Sequence, residues 1–424
     1  MKNRPQWNRL DNAAKIFPPT SNATDPKVFR CCCELYDDVE PSLLQEALDA
    51  ATLRMPYFTS VMKKGFFWYY FEQSTLKPEV KEDYKDPCSV LYNQDRRSLL
   101  FEVTYYKNRI NLEMFHALTD GTGALQFLES IVLRYLQKKH RLDYDMVLMD
   151  NELIESQLSQ DSFSKFYSKV RIRGKKNPLA YQLRGERNPD YRYGVIQCIM
   201  PAGDMRKLAK RHDATLTELL TAYLIEAIHE TMSVSHEDKP VVISVPVNLR
   251  NYFPSTSLRN FFGVILIGHA YASQGKTFSD VLSNVKKQFK SQLKPGAIEA
   301  RMNQLSSVEH NPAARLTPLI LKSPTLSLAN YTFSRSLTAG ISNLGVIRIP
   351  AEFEAYIRLF SIFSSTSKLN ICVCSYLDQM ALTFTSSLLS PDVQRAFIRT
   401  LTKAGIEVAI DTNFSETINM RASP

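Results

Sequence analysis

The sequence predicts an α/β protein built from two halves of similar organisation. Strand-like and helix-like segments alternate along the chain, which is typical of the α/β class. The chain has 424 residues, which exceeds one ordinary hydrophobic core and fits two domains of roughly 200 residues each. We expect an N-terminal subdomain over residues 1–190 and a C-terminal subdomain over residues 191–424.

The composition is that of a folded protein without a membrane span. Hydrophobic residues make up 44% of the chain and charged residues 22%, close to the average for globular domains. There is no run of about 18 apolar residues, and the first residues lack the apolar core of a signal peptide. We therefore expect a cytoplasmic protein with no integral membrane segment.

The first half begins with a strand, a helix and an aromatic segment. Val28–Leu35 has the composition of a strand, and Pro41 suits the first turn of a helix. The aromatic run Phe66–Phe71 predicts another strand, because aromatic residues favour the pleated sheet. The order strand, helix, strand supports the α/β class.

A predicted hairpin then leads into an amphipathic helix. Leu99–Tyr106 turns at Lys107–Arg109 into Ile110–Phe115, and this second strand ends at His116. After Gly121 apolar residues recur at helical spacing. The expected buried stripe consists of Leu125, Leu128, Ile131, Val132, Tyr135 and Leu136. His116 therefore lies where a strand ends and a helix begins.

The second half repeats the alternation. Residues 145–193 are polar and basic with weak periodicity, and we interpret them as the connection between the halves. A helix is expected from Thr215, because Thr215–Glu218 has the spacing of a capping box. The strands expected in this half are Tyr193–Met200, Val241–Val247, Phe261–Ile267, Ile371–Tyr376 and Met380–Ser386.

The seven cysteines do not form a metal-binding pattern. Cys31, Cys32 and Cys33 are consecutive, and no cysteine and histidine spacing suits zinc. Successive strand residues point to opposite faces of a sheet, so a site made of all three thiols is geometrically awkward. We expect no metal site and interpret the three as small strand residues in a reducing compartment.

The strongest functional signal is the segment His116-Ala117-Leu118-Thr119-Asp120-Gly121. A histidine four residues before an aspartate is weak evidence by itself, but here the pair follows a hairpin and opens a helix. Glycine at this place permits tight turning and close approach of the backbone to a ligand. Three distant segments accompany the motif: Pro246-Val247-Asn248-Leu249-Arg250, Leu258-Arg259-Asn260-Phe261-Phe262-Gly263 and Ile341-Ser342-Asn343-Leu344-Gly345.

Together these segments resemble the acyltransferase superfamily that includes chloramphenicol acetyltransferase, peptide-synthetase condensation domains, wax ester synthases and alcohol acetyltransferases. Its signature is HxxxDG, and the likeness covers most of the chain. It is nearest to bacterial alcohol acetyltransferase-like and wax ester synthase-like proteins. The resemblance implies two similar chloramphenicol acetyltransferase-like subdomains, each a mixed sheet flanked by helices, with an active-site tunnel between them.

The resemblance also implies an acyl-CoA-dependent O-acyltransferase. His116 would be the general base that takes the proton from an acceptor hydroxyl or amine as this group attacks the thioester carbonyl. The donor would be acyl-CoA or an acyl-pantetheine on an acyl carrier protein, with no tightly bound cofactor. Ser342 or Asn343 could supply an oxyanion or channel contact. A plain turn before a strand explains their segment equally well.

Asp120 would have a structural rather than a catalytic role, since the matching aspartate of the family usually points away from the histidine and pairs with an arginine. Arg250 is the expected partner and Arg259 the next candidate. Gly121 would belong to the same structural set. Such a pair would hold the loop that carries His116.

The net charge of +9 is moderate for this length. Basic clusters occur at Arg171–Lys176 and at Lys286, Lys287 and Lys290. Solvated surface explains both clusters, and guidance of a phosphate-bearing coenzyme A or of an acidic carrier protein is the functional alternative. No nucleic-acid partner is expected, because the basic residues lack a recognisable binding motif.

Two other functions remain open. One is a free-standing condensation-like domain that uses carrier-bound substrates, although the DFGWG-like segment of condensation domains is missing. The other is a non-catalytic member of the fold that binds carrier proteins, against which the intact HxxxDG argues. Neither a Gly-x-Ser-x-Gly elbow, a Walker loop nor a Rossmann glycine motif occurs, so serine hydrolysis, nucleotide hydrolysis and hydride transfer lack support.

Overall fold

The computed structural model describes residues 7–93, 96–146, 161–168, 178–188 and 192–413. Strands and helices alternate along these residues, which confirms the predicted α/β class. The basic cluster Arg171–Lys176 and much of the connection expected over 145–193 lie outside the described residues. The boundary expected after residue 190 lies outside them too, so the division of the chain at that point stays a prediction.

The strands are numbered in chain order. Those of the first half are β1 (Trp7–Arg9), β2 (Val28–Leu35), β3 (Ser60–Lys64), β4 (Tyr69–Gln73), β5 (Lys81–Glu82), β6 (Phe101–Tyr106) and β7 (Arg109–Phe115). Those of the second half are β8 (Gly194–Pro201), β9 (Val241–Asn248), β10 (Phe262–His269), β11 (Ala339–Ile347), β12 (Ile357–Ser364), β13 (Leu369–Tyr376), β14 (Gln379–Ser386) and β15 (Ala409–Thr412).

The helices are numbered in the same way. The first are α1 (Phe17–Thr20), α2 (Pro41–Arg54), α3 (Gly121–His140), α4 (Ser162–Phe166), α5 (Ala202–Arg211) and α6 (Leu216–Glu230). The later ones are α7 (Phe278–Gln292), α8 (Pro295–His310), α9 (Pro312–Leu316), α10 (Leu319–Ser334), α11 (Ala351–Glu354) and α12 (Asp392–Lys403). None of the helices in the described part of the chain is both long and apolar enough to cross a lipid bilayer.

Several local predictions agree closely with the structure. Strand β2 has the expected bounds. The capping box at the start of α6 is formed: the Thr215 hydroxyl accepts from the backbone N–H of Glu218, and the Glu218 carboxylate accepts from the backbone N–H of Thr215. These segments form as expected because their signals are local, namely apolar composition and cap chemistry.

The described strands form three sheets. The small sheet has the order β1-β4-β3, the N-terminal sheet β12-β2-β7-β6-β5, and the C-terminal sheet β10-β9-β11-β13-β14-β8-β15. Most neighbours are antiparallel, whereas β11 is parallel to both β9 and β13, so the C-terminal sheet is mixed. We call the N-terminal sheet with α2 and α3 the N-terminal lobe, and the C-terminal sheet with α5, α6, α7 and α12 the C-terminal lobe.

Strand β12 comes from the second half of the chain but completes the sheet of the N-terminal lobe. It pairs antiparallel with β2, so that Ile362 lies opposite Cys31 and Phe360 opposite Cys33. The chain then enters β13 and returns to the C-terminal sheet. The two lobes are therefore interleaved. Sequence patterns do not predict this exchange, because strand composition does not specify which sheet a strand joins.

Strand β2 runs through the middle of the N-terminal core, and all eight of its residues are buried. This includes Cys31, Cys32 and Cys33. Burial raises the pKa of each of these thiols above its ordinary value, which keeps them protonated. Their position within β2 agrees with the interpretation of the three as small strand residues.

The strand predicted around Phe66–Phe71 is wrong at its start. Strand β4 begins at Tyr69, and the preceding residues form a turn in which the N–H of Gly65 donates to the carbonyl oxygen of Trp68 at 3.0 Å. Phe66 and Phe67 are consequently exposed. Aromatic composition alone does not distinguish a buried strand from an exposed turn.

Candidate active site

His116 lies at the junction between the two lobes. Its backbone N–H donates to the carbonyl oxygen of Lys27 at 2.8 Å, beside the start of β2. Its ring stacks on Phe17 with centroids 4.5 Å apart and meets the edge of Phe29 at 5.0 Å. From the C-terminal lobe, the ring of Phe262 lies 5.5 Å away. Aromatic side chains from distant parts of the chain thus hold the imidazole in one orientation.

The hydrogen bonds of the imidazole define which nitrogen is basic. Nδ1 lies 3.1 Å from Asn260 Oδ1, and the imidazole also forms a hydrogen bond with the carbonyl oxygen of His116 itself. The Asn260 amide is oriented by its Nδ2, which donates to the carbonyl oxygen of Ala117 at 3.3 Å and to Asp11 Oδ2 at 3.5 Å. The amide oxygen that faces Nδ1 is therefore an acceptor. Nδ1 carries the proton, and Nε2 carries the lone pair.

The surroundings of His116 keep its ring neutral. Burial lowers the pKa of His116 below the ordinary histidine value of 6.5. The contact with its own carbonyl oxygen, the Asp120 charge and the Asn260 hydrogen bond act in the opposite direction, but the net shift of the pKa is downward. A neutral ring with a free Nε2 lone pair can accept a proton, which is the property that a general base needs.

The Asp120 carboxylate anchors the loop after His116. Oδ1 accepts from the backbone N–H of Gly123 at 3.1 Å, which caps the start of α3. Oδ2 accepts from the backbone N–H of Phe261 at 2.9 Å and from Arg250 Nη1 at 2.8 Å. The carboxylate is buried, and these hydrogen bonds come from both lobes. The arrangement suits a structural anchor, while Asn260 serves the imidazole.

Of the two arginines considered as partners, the structure pairs Arg250 with Asp120. Arg250 also donates to the Ser257 carbonyl oxygen at 3.1 and 2.8 Å and to the Arg259 carbonyl oxygen at 2.6 Å, which closes the loop before β10. The Arg259 side chain instead lies beside Asp11, with Nε and Oδ2 3.7 Å apart. Burial raises the pKa of Asp11 to about 6, although the Arg259 charge opposes the shift.

The two glycines of the motif have different environments. A Cβ on Gly123 would lie 2.3 Å from the carbonyl oxygen of Leu258 and 2.2 Å from Thr119 Oγ1. The Thr119 hydroxyl itself donates to the Leu258 carbonyl oxygen. A Cβ on Gly121 would lie 3.0 Å from the end of the Leu344 side chain and 3.8 Å from Ile362 Cδ1. The close approach of the Leu258 backbone therefore requires glycine at position 123. Gly121, which the sequence singles out, faces a flexible side chain that can shift.

Ser342 and Asn343 lie within β11, so the alternative interpretation of their segment as a turn before a strand is wrong. Asn343 Nδ2 donates to Thr217 Oγ1 at 3.0 Å, and Asn343 Oδ1 accepts from the backbone N–H of Gly345 at 2.9 Å. Gly345 has a φ of 82°, and the register with β13 shifts after Asn343. A bulge inside a strand thus accounts for the glycine. These contacts of Asn343 lead to α6 and not to His116.

The residues that orient His116 are not marked by any motif that the sequence alone predicts to be functional. Asn260 belongs to one of the recognised segments, and its only signal is that it is a polar residue directly before Phe261 and Phe262. Asp11 and Phe17 lie in an N-terminal segment without a motif. Contacts between residues so far apart in sequence leave no local pattern.

The chain matches no protein-family model and no curated protein. It does match solved structures over nearly its whole length. The TRI3 trichothecene 15-O-acetyltransferase from Fusarium sporotrichioides is 11% identical with a TM-score of 0.62, covering 95% of each chain. TRI101 of F. graminearum, complexed with coenzyme A and T-2 mycotoxin, is 10% identical with a TM-score of 0.62, covering 92% of this chain and 96% of that one.

A condensation domain is similar to a comparable degree. The first condensation domain of the calcium-dependent antibiotic synthetase, in complex with a substrate analogue, is 15% identical with a TM-score of 0.59, covering 94% of this chain and 96% of that chain. At such identities the likeness establishes the fold. The chain has the two-lobed, chloramphenicol acetyltransferase-like fold that acetyltransferases and condensation domains share, as its sequence predicts.

Replacing Asp120 by asparagine should destabilise the fold. The change leaves the Arg250 charge buried without its counter-charge, and we expect a loss of about 3 kcal/mol in the free energy of unfolding. Urea denaturation followed by circular dichroism measures this loss. Asp392→Asn is the matched control, because Asp392 forms an exposed pair with Arg395 at 3.1 Å, and it should cost less than about 0.5 kcal/mol. Equal losses in the two variants would contradict the anchoring role of Asp120.

Proposed function

We propose that this protein is an acyltransferase that moves an acyl group from a coenzyme A or phosphopantetheinyl thioester to an alcohol or amine, with His116 as general base. The main support for this proposal is the hydrogen bonding of the His116 ring. The imidazole is held at the junction of the lobes with Nδ1 donating to Asn260 Oδ1, so the neutral ring keeps a basic Nε2. The shared fold agrees with this reaction, since a trichothecene 15-O-acetyltransferase has it.

His116 alone can take up and return the single proton that moves during the reaction. Nε2 of His116 takes the proton of the acceptor hydroxyl or amino group while the acceptor oxygen or nitrogen forms a bond to the thioester carbonyl carbon. The carbonyl electrons move to its oxygen and return when the C–S bond breaks. The leaving thiolate then takes the proton from Nε2, which regenerates the neutral ring. The acyl group moves directly, so no acyl-enzyme forms.

Other site residues would position the base and stabilise charge. Asn260 Oδ1 accepts from Nδ1 and would stabilise the imidazolium that forms during the attack. Asp120, Gly121 and Arg250 would hold the loop. We retain Ser342 and Asn343 as candidates for an oxyanion or channel contact. An amide nitrogen carries two hydrogens, of which Thr217 takes one in the case of Asn343.

The donor is proposed to be acyl-CoA. Its support is that TRI101, which has the same fold, was solved in complex with coenzyme A. A carrier-bound donor would present the same pantetheine arm and would use the same base. The condensation-like reaction, favoured by the similarity to a condensation domain, therefore differs in the donor and not in the role of His116.

Removing the imidazole should abolish transfer without unfolding the protein. With a panel of acyl-CoA thioesters and alcohols, His116→Ala should lower kcat/KM by about two to four orders of magnitude, the usual contribution of a general base. Thiol release measured with a chromogenic disulfide reports turnover. All seven cysteines of the protein are buried, which keeps the background low.

His212→Ala is the matched control. His212 lies at the surface end of α5, in edge contact with Tyr223 and Phe278, and this change should leave turnover within about twofold of the unchanged protein. Full activity of His116→Ala would contradict the proposed base. Turnover only with an acyl group loaded on a carrier protein would assign the condensation-like reaction instead.

The activity should fall on the acid side with the titration of His116. Only the neutral ring accepts a proton, so kcat/KM rises with pH through the pKa of His116 and then reaches a plateau. Burial lowers this pKa, so the plateau should extend below the ordinary histidine pKa of about 6.5. Measuring kcat/KM between about pH 5 and pH 8 with an alcohol, which does not titrate there, locates the acid limb. An acid limb centred above about pH 7 would contradict the neutral, buried base.

A further inference from the structure

A cavity of about 680 Å³ opens against the small sheet. Its volume is within the range of about 300 to 1,000 Å³ that is typical of small-molecule sites. Both tryptophans of the chain, Trp7 and Trp68, line it. The other aromatic lining residues are Phe67, Tyr69 and Tyr70. Such walls favour a ligand with a large apolar or aromatic surface.

The charge around this cavity is predominantly positive. The basic lining residues are Arg9, Lys15 and Arg315. Glu72 also lines the cavity, but its carboxylate lies 4.0 Å from Lys63 and 4.0 Å from Arg97, which balance its charge. The lining therefore complements a ligand that carries negative charge.

The ammonium groups of two lysines, Lys322 and Lys15, lie near the indole ring of Trp68. The ammonium of Lys322 lies 3.9 Å from the ring centroid and that of Lys15 lies 5.3 Å from it. Both side chains are buried, with 6% and 9% of their surface exposed. Burial lowers the pKa of Lys322, and the charge of Lys15 lowers it further.

The wall of the cavity also supports the candidate base. Residues 9–15 contribute three lining side chains. Within this segment the Asp11 carboxylate accepts from Asn260, whose amide oxygen holds His116. Phe17, directly after the segment, stacks on the His116 ring. A ligand in the cavity therefore lies against the same short segment that orients the imidazole.

We propose that this cavity is the acceptor site and that it takes a lipophilic acceptor carrying an anionic group. This assignment rests on the proposed acyl transfer. The aromatic walls would bind the apolar body of the acceptor, and Arg9 and Arg315 would bind the anionic group. The hydroxyl or amine to be acylated would lie at the other end of the molecule, towards His116.

Two fluorescent probes that differ only in charge test this site. Anilinonaphthalene sulfonate has the required aromatic body and anionic group, and N-phenylnaphthylamine has the same rings without the sulfonate. The sulfonate should bind more tightly than its neutral analogue. Energy transfer from Trp7 and Trp68, the only tryptophans of the chain, should locate the bound probe in the cavity.

The double variant Arg9→Gln and Arg315→Gln tests the basis of the preference. Both side chains are exposed, so the variant should fold normally. Its affinity for the sulfonate should fall by about tenfold, while its affinity for the neutral probe stays within about twofold. The matched control replaces Arg395 and Arg399, exposed residues of α12, by glutamine and should bind both probes like the unchanged protein.

The probe-binding measurements test the cavity independently of the proposed acyl transfer. Equal affinity for the two probes, an equal loss in the control variant, or binding without energy transfer would overturn the site. In the transfer assay the sulfonate should raise the KM of the acceptor, and an unchanged KM would overturn its assignment as the acceptor site. His116→Ala should bind the sulfonate normally. If that variant keeps full transfer activity, the proposed base fails, while the probe measurements still decide the cavity.

Discussion

The largely buried ion pair between Asp120 and Arg250 is the interaction on which the candidate active site depends. Withdrawing two charges from water is costly, and the pair is stable only if further hydrogen bonds satisfy both groups. Asp120 also accepts from two backbone N–H groups, and Arg250 also donates to two backbone carbonyls. The geometry meets this condition. As a result, the loop that carries His116 and the loop before β10 are held as one unit.

This unit explains the tautomer of the histidine. Because Arg250 fixes the loop before β10, Asn260 reaches Nδ1 with its amide oxygen. Ala117 and Asp11 accept from the amide nitrogen and set the direction of the amide. A chain of contacts thus extends from the ion pair to the free Nε2. The N-terminal segment supports this chain through Asp11 and Phe17, and it also forms part of the wall of the aromatic cavity.

The sequence predicts those features whose signals are local. The strand over Val28–Leu35, the hairpin before His116 and the capping box at Thr215 follow from apolar patterning and cap chemistry. The exposed position of Phe66 is not predicted from the sequence, because aromatic residues occur both in buried strands and in exposed turns. The bulge at Gly345 is not predicted either, because a bulge depends on the pairing with the neighbouring strand.

Some residues of the candidate site are also predicted from the sequence, whereas others are not. His116 and Asp120 could be singled out because a motif and its flanking glycines mark them in the sequence. Asn260 and Phe17 could not, since their importance comes from contacts across the junction of the lobes. Strand β12 shows the same limit for the fold, because its partner β2 is decided by the tertiary structure. Local sequence patterns do not specify which distant residues or strands contact each other in the folded protein.

The most direct test of this account is the tautomer of His116. Nitrogen NMR of isotope-labelled protein distinguishes protonated from unprotonated imidazole nitrogens, and the His116→Ala variant identifies the signals of His116 among the seven histidines. We expect a neutral ring at about pH 7 with the proton on Nδ1 and an unprotonated Nε2. A proton on Nε2, or a doubly protonated ring at that pH, would contradict it.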